Sequence, residues 1–361
     1  MNRARLAGPV KIVGSGLIGT SIGLALTQLG TKVLLADSSP AVTNLAVDFG
    51  AGEKFVAGTE PSLVVVCVPP DVCASVIASQ LLEHPNATVT DVASVKGTIL
   101  QQLQSNGADL ERYVGSHPMA GREQAGTLAG RSDIFVGRPW VISANSKSSN
   151  KSVETVEALA IDLGATLIHL EPEEHDRAVA LVSHAPQLVS SLLAARLSES
   201  ESSDISLAGQ GLRDTTRIAA SDPKLWIQIL AANSQEVAKV IDLLKQDLDQ
   251  ALNALRAVEA PGSLASIGKL LEKGNLGVSR IPGKHGQSAT KYSKVVVMID
   301  DKPGELARLL TEVGEVGINL EDLTLEHATG AAVGLPELYV LPTAEQKLVS
   351  ELTARGWKIV G

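Results

Sequence analysis

Several short segments of this chain hold residue types able to do chemistry. Gly14, Gly16 and Gly19 stand in the pattern G-x-G-x-x-G, and Asp37 follows 18 residues after the last of them. Glycines at this spacing let a backbone turn tightly and lie against a pyrophosphate. A carboxylate at the next strand end accepts hydrogen bonds from a ribose 2′-hydroxyl and repels a 2′-phosphate. Ser38 and Ser39 follow Asp37 with no arginine beside them, so NAD is favoured and NADP stays open. In Asp91-Val-Ala-Ser-Val-Lys96, Ser94 offers a hydroxyl for a bond beside a nicotinamide and Lys96 a positive charge; a capped strand end is the plain alternative.

His117 lies in Gly115-Ser-His-Pro-Met-Ala-Gly121, which reads as a loop just past a strand at Tyr113–Val114. An imidazole with an ordinary pKa of about 6.5 is mostly neutral near pH 7, so it can take a proton from a substrate hydroxyl. Glu123 would orient this loop or gate a pocket, or simply lie on the surface. Arg217, in Arg213-Asp-Thr-Thr-Arg-Ile-Ala, offers a two-pronged guanidinium for a carboxylate, or an ion pair with Asp214 or Asp222. His175 and His184 share one helix, and at about 100° per residue their spacing places them on opposite faces, apart from one another. His184, in line with Leu181 and Leu188, is either a core histidine or a pocket residue. No zinc-ligand spacing, serine-nucleophile elbow or P-loop occurs, so no metal is expected.

These groups need elements to hold them. Apolar strand-like runs at Val10–Val13, Lys32–Ala36, Leu63–Val68, Thr88–Val92 and Trp140–Ile142 alternate with helical periodicity. That pattern predicts a parallel sheet covered on both faces, a doubly wound Rossmann domain over residues 1–168. The cofactor contacts would then be Gly14, Gly16, Leu17, Ile18, Gly19, Asp37, Val68, Pro69 and Ser94. Residues 169–273 read as helical, with a long helix over Leu225–Leu255 whose apolar stripe calls for a second subunit and predicts a homodimer. A glycine-rich linker at 274–290 precedes a ferredoxin-like βαββαβ unit at 291–361, its last helix opened by a Thr343/Gln346 capping box.

A chain of 361 residues is long enough for two or three domains, and its net charge of −9, without a basic stripe, argues against nucleic acid. Cys67 and Cys73 are the only cysteines, which points to a reducing compartment. No signal-peptide-like apolar run opens the chain and none approaches about 18 residues, so a cytoplasmic protein away from membranes is expected.

Gly14–Ser21, Asp91–Lys96, Gly115–Gly121 and Gly211–Ala219, the last extended by Ser221-Asp-Pro and Trp226 to Asn233, resemble the prephenate/arogenate dehydrogenases of tyrosine biosynthesis. The likeness covers residues 10–256, and the tail, with Asp301-Lys-Pro-Gly-Glu-Leu and Gly317-Ile-Asn319, looks like an ACT domain. The resemblance implies oxidative decarboxylation of a cyclohexadiene with hydride transfer to NAD. His117 would accept the hydroxyl hydrogen bond, Ser94 would position His117 and the nicotinamide, and Arg217 would bind a substrate carboxylate. His184 becomes a pocket residue, and Gln187 stands where some relatives carry a second histidine. Prephenate is the expected substrate and arogenate the alternative. A silent NAD and amino-acid sensor and a β-hydroxyacid dehydrogenase are the remaining readings. Pro303, Gly304, Glu305 and Asn319 are the candidate effector contacts, for tyrosine or for no ligand if the tail only aids dimerisation.

Overall fold

The computed structural model describes residues 4–6, 8–121, 126–282, 292–327 and 333–360, and the chain divides into two units, 1–245 and 246–361. In the first unit β1 (Val10–Val13) passes through the glycine turn into α1 (Leu17–Gln28). There follow β2 (Val33–Ala36), α2 (Pro40–Asp48), β3 (Glu53–Lys54), β4 (Leu63–Val66), α3 (Pro70–Glu83), β5 (Thr88–Asp91) and α4 (Gly97–Ser105). After these come β6 (Tyr113–Pro118), β7 (Pro139–Ala144), α5 (Asn150–Asp162) and β8 (Thr166–His169). The eight strands form one sheet in the order β3-β2-β1-β4-β5-β6-β7-β8.

Burial on both faces explains the near-continuous apolar strands. On one face Ile12, Leu35, Val65 and Ile142 pack with Ile22 and Leu26 of α1 and Val156 and Leu159 of α5. On the other Val64, Val66 and Val89 pack with Cys73 and Ile77 of α3 and with Ile99 and Leu103 of α4. β1 has β2 on one side and β4 on the other, so the winding reverses there and leaves a crevice at the carboxyl ends.

The sheet departs from the all-parallel expectation at one step. β7 runs antiparallel to β6, pairing Val141 with His117 and Ser143 with Gly115. A parallel step requires a crossover element; among the described residues, the connection from Pro118 to Pro139 holds only a short 3-10 turn, Thr127–Ala129. β6 also runs longer than its sequence suggests, so His117 belongs to a strand end and not to a loop.

α6 (Pro172–Val179) opens with Pro172 in its first turn and a capping box between Glu171 and Glu174. A π-helical turn, Ala180–His184, joins it to α7 (Ala185–Leu197). Pro172–Leu197 is long and apolar enough to cross a membrane by length and composition. Its buried positions include the polar residues His175, Asp176, His184, Gln187 and Ser190, so the face it turns inward carries a polar cluster. α8 (Ser202–Ile205), α9 (Gln210–Thr216), a 3-10 turn at Arg217–Ala219, α10 (Pro223–Ala232) and α11 (Ser234–Arg256) follow. The single helix expected across Leu225–Leu255 is two helices, broken at Asn233, whose φ of −115° and ψ of 26° leave the helical region.

In the second unit, Lys273 of α12 (Ser263–Val278) pairs with Asp247 at 2.7 Å. Residues 274–278, read as linker from their glycines, complete that helix. β9 (Ser293–Asp300), α13 (Glu305–Glu315), β10 (Asp322–His327), β11 (Val333–Val340), α14 (Pro342–Ala354) and β12 (Lys358–Val360) give the βαββαβ order, with an antiparallel sheet β10-β11-β9-β12. Val297, Leu309, Leu338, Leu348 and Leu352 fill its core. α14 starts at Pro342 with Leu341 as its cap, so the expected Thr343/Gln346 box does not open it; the fixed φ of proline starts the helix instead.

Candidate active site

The glycine turn fits a dinucleotide, and each glycine meets a different demand. Gly14 has a φ of +100°, and a Cβ there would collide with the Cys67 carbonyl oxygen. A Cβ at Gly19 would collide with the Gly14 carbonyl oxygen, so only glycine lets α1 start this close to β1. At Gly16, which caps α1, a Cβ would meet no protein atom within 4 Å. That open backbone, beside the free N–H groups and positive dipole end of α1, is a cradle for a pyrophosphate. Leu17 and Ile18 form the first turn of α1, Val68 lies against Gly14, and exposed Pro69 caps α3. Asp37, at the end of β2, accepts bonds from Ser15 N–H (2.8 Å) and Ser39 N–H (2.9 Å), which fix its carboxylate beside the turn.

A second set of groups gathers around His117. Its Nδ1 lies 2.9 Å from Nε2 of His175, and the two rings meet edge to face at 5.1 Å. Nδ1 of His175 lies 2.8 Å from Oδ1 of Asp176. The Asp176 carboxylate also accepts the backbone N–H groups of Lys96 and Gly97, each at 2.8 Å, and so caps α4. Asn233, at the break between α10 and α11, donates through Nδ2 to the Asp176 carbonyl (2.8 Å), and the same amide lies 3.0 Å from His184 Nδ1. The amide nitrogen only donates, so Nδ1 of His184 accepts and its Nε2 carries the hydrogen. Trp226 meets the His184 ring edge to face at 6.1 Å.

The π-helical turn is what joins His175 to His184. It takes up one extra residue, so their offset falls from about 180° to about 80° and both face one cluster. Pro186 gives the cause: it supplies no N–H for the carbonyl four residues back, and a widened turn ends just before it. The separation expected for the two histidines is therefore corrected, and His175, Asp176 and Asn233 join the His117 and His184 cluster although regular helical periodicity conceals it.

Electrostatics favour neutral imidazoles. Burial first, then the nearby His175, Lys96 and His184, push His117 well below the ordinary imidazole range. Burial lowers His175 more than its bond to Asp176 raises it. His184 is lowered to about 4, chiefly by burial. Asp176 is penalised by burial, but its bonds from His175, Lys96 and Gly97 outweigh this and hold it below the usual carboxylate range. Lys96 is 1% exposed and ion-pairs with buried Asp91, and its ammonium donates to the Ser116 carbonyl at 2.8 Å. Tyr113 donates to the same carboxylate at 2.8 Å. The lysine thus ties the end of β5 to β6 and positions His117 instead of offering its charge to a ligand.

The remaining candidates are placed as follows. Half-buried Ser94 lies between β5 and α4 and, among the described residues, makes no hydrogen bond to His117, whose partner is His175. Gln187 is buried in α7 and lies 3.4 Å from Ser191 Oγ. Arg217 is exposed on the 3-10 turn that packs against α7. Glu123 lies outside the described residues. In the second unit Gly304, at a φ of +93°, follows Pro303 and caps α13, Glu305 bonds Arg308 at 2.8 Å, and Asn319 bonds Glu321 at 2.9 Å. Among the described residues no group of three histidine, cysteine or acidic side chains is arranged to hold a metal ion.

Comparison with known proteins places the chain in a family. Residues 22–169 match the nucleotide-binding domain of prephenate dehydrogenase, and residues 171–268 match its dimerization domain. A Streptomyces niveus protein named "Probable prephenate dehydrogenase NovF" is 37% identical over 357 residues, covering 96% of this chain and 98% of that one. The crystal structure of Aquifex aeolicus prephenate dehydrogenase, in complex with hydroxyphenyl propionate and NAD+, aligns with a TM-score of 0.66 at 27% identity, covering 76% of this chain and all of that one. Synechocystis arogenate dehydrogenase aligns with a TM-score of 0.62 at 25% identity, covering 75% of this chain and 98% of that one. The chain belongs to the prephenate dehydrogenase family.

Proposed function

We propose that this chain is an NAD-dependent prephenate dehydrogenase of tyrosine biosynthesis, converting prephenate to 4-hydroxyphenylpyruvate and CO2. NAD, when bound on the Gly14–Gly19 turn, supplies the hydride acceptor. His117 carries the reading: a neutral, half-buried imidazole at the carboxyl end of β6, on the sheet edge where the glycine turn lies. It takes the hydrogen bond of the ring hydroxyl and holds its proton while the hydride leaves the same carbon. The bond from the ring to its carboxylate then breaks, its electron pair completes the aromatic ring, and the proton returns to the phenol oxygen. Ser94 orients the nicotinamide, Arg217 binds a substrate carboxylate, and the Nε2 hydrogen of His184 is a donor to a substrate oxygen. Gln187 and Glu123 complete the substrate set.

The enzyme works as a soluble, cytoplasmic homodimer, in keeping with two free cysteines and with the exposed Leu243, Leu248, Leu252 and Leu255 of α11. Tyrosine is the proposed effector of the C-terminal unit through Pro303–Glu305 and Asn319; unchanged kinetics and melting temperature with tyrosine would remove that role. Arogenate is the alternative substrate, favoured by the likeness to the Synechocystis enzyme. The test is NADH or NADPH formation with prephenate and arogenate in parallel, each with NAD and NADP. Turnover is expected with prephenate and NAD and to fall by roughly two or more orders of magnitude in His117→Ala. Near-normal turnover in that variant would end the assignment.

A further inference from the structure

We propose that Asp176 and His175 are positioning residues that lock His117 in the tautomer whose Nε2 lone pair faces the substrate hydroxyl. The inference rests on the role of His117 proposed above and deepens it. It follows from a donor and acceptor count along one chain of atoms. Two backbone donors, Lys96 N–H and Gly97 N–H, converge on the Asp176 carboxylate, which is held below the usual carboxylate range, so it is ionised and can only accept at its 2.8 Å contact with His175 Nδ1. His175 therefore carries its hydrogen on Nδ1. Its ring is fully buried and neutral, which leaves Nε2 with a lone pair. That lone pair lies 2.9 Å from Nδ1 of His117, so His117 must carry its hydrogen there. Its Nε2 is then free to accept.

Among the described residues, the other groups near His117 do not impose this choice. Lys96 is occupied by Asp91 and the Ser116 carbonyl, and His184 is held by Asn233. Without the dyad the ring reverts to the tautomer that free histidine favours, with hydrogen on Nε2, which turns a base into a donor. The arrangement also serves the charged state. When His117 takes up the proton, its Nδ1–H points at His175 with the Asp176 carboxylate behind it, which stabilises the cation without moving a second proton.

The test pairs His175→Leu, which removes both bonds, with His175→Gln, whose amide can donate to Asp176 and accept from His117. In the full-length protein, labelled with 15N at histidine, nitrogen spectra read the tautomer of His117 directly. The wild type is expected to show Nδ1–H. His175→Leu should shift to Nε2–H or a mixture, and His175→Gln should restore Nδ1–H. With prephenate and NAD, His175→Leu should lose roughly 100-fold or more in kcat, the usual worth of a positioned base, with KM changed less than kcat. His175→Gln should recover most of it. A wild-type His117 with hydrogen on Nε2 would overturn the proposal. So would an unchanged tautomer in His175→Leu, or equal kcat losses in two variants that both bind NAD normally. If the wild type fails to oxidise prephenate, the functional reading falls while the spectra still decide the tautomer. If His175→Leu does not fold, the wild-type and His175→Gln spectra decide it.

Discussion

Gly16 and Gly19, three residues apart in the same turn, make opposite demands, and the same small substitution separates them. Gly16→Ala adds a methyl where the protein has open space, at a φ of −73° that any residue adopts. Alanine caps a helix less well than glycine, at a cost of a few tenths to about 1 kcal/mol, while the stiffer unfolded chain returns about 0.4–1 kcal/mol. The melting temperature should therefore move by no more than about 2–4 °C. Coenzyme affinity should change far more. The methyl occupies the approach of the pyrophosphate, and losing one charge-assisted backbone bond costs about 1.5–3 kcal/mol, or roughly ten- to a hundredfold in Kd. Gly19→Ala does the reverse. Its methyl collides with the Gly14 carbonyl and must push α1 off β1, a packing cost of about 1–3 kcal/mol or more before any nucleotide is present. Calorimetric titration with NAD and melting curves without it give both readouts. A Gly16→Ala protein that binds NAD within twofold of wild type, or that melts as low as Gly19→Ala, would refute the assignment of Gly16 as the phosphate contact.

Other outcomes follow from the same geometry. Asp37→Ala removes a carboxylate fixed by Ser15 and Ser39 at the end of β2 and should narrow the preference for NAD over NADP, read as the ratio of kcat/KM values. Arg217→Ala should raise KM for prephenate about tenfold or more with a smaller change in kcat, checked by steady-state kinetics. Stability should fall on acidification: His117, His175 and His184 bind fewer protons folded than unfolded below pH 6.5, so stability is present above that pH and lost as pH drops. With its value lowered to about 4, His184 alone gives a loss of about 2 kcal/mol from pH 7 to pH 5, and equal urea midpoints at the two pH values would contradict this.

The sequence disclosed most where local pattern and chemistry coincide. The glycine turn and the apolar strands each follow from rules that act over a few residues, and Gly14, Gly19 and Ile12 sit as those rules require. It disclosed less where a distant partner decides. Nothing local marks Lys96 as buried, because its ammonium is balanced by Asp91 and by a carbonyl on the neighbouring strand. The reversal of β7 goes with a connection that, among the described residues, holds only a short 3-10 turn, a property of the connection and not of the strand. Asn233 is an ordinary residue in an amphipathic pattern until its amide is seen to bridge Asp176 and His184. His175 is the sharpest instance, since regular periodicity places it on the wrong face. Yet the signal lay in the chain: Pro186 inside an otherwise helical run removes a donor, and the turn before it must widen or kink. Widening by one residue rotates everything upstream by about 100° relative to everything downstream, enough to carry His175 and Asp176 from the far side of the helix into the cluster of His117 and His184. A helix that is regular in sequence therefore reaches a three-histidine site only through an irregularity, and replacing Pro186 by alanine tests this: a regained α-helical turn would carry His175 away from His117, and kcat would fall although no residue of the cluster had changed.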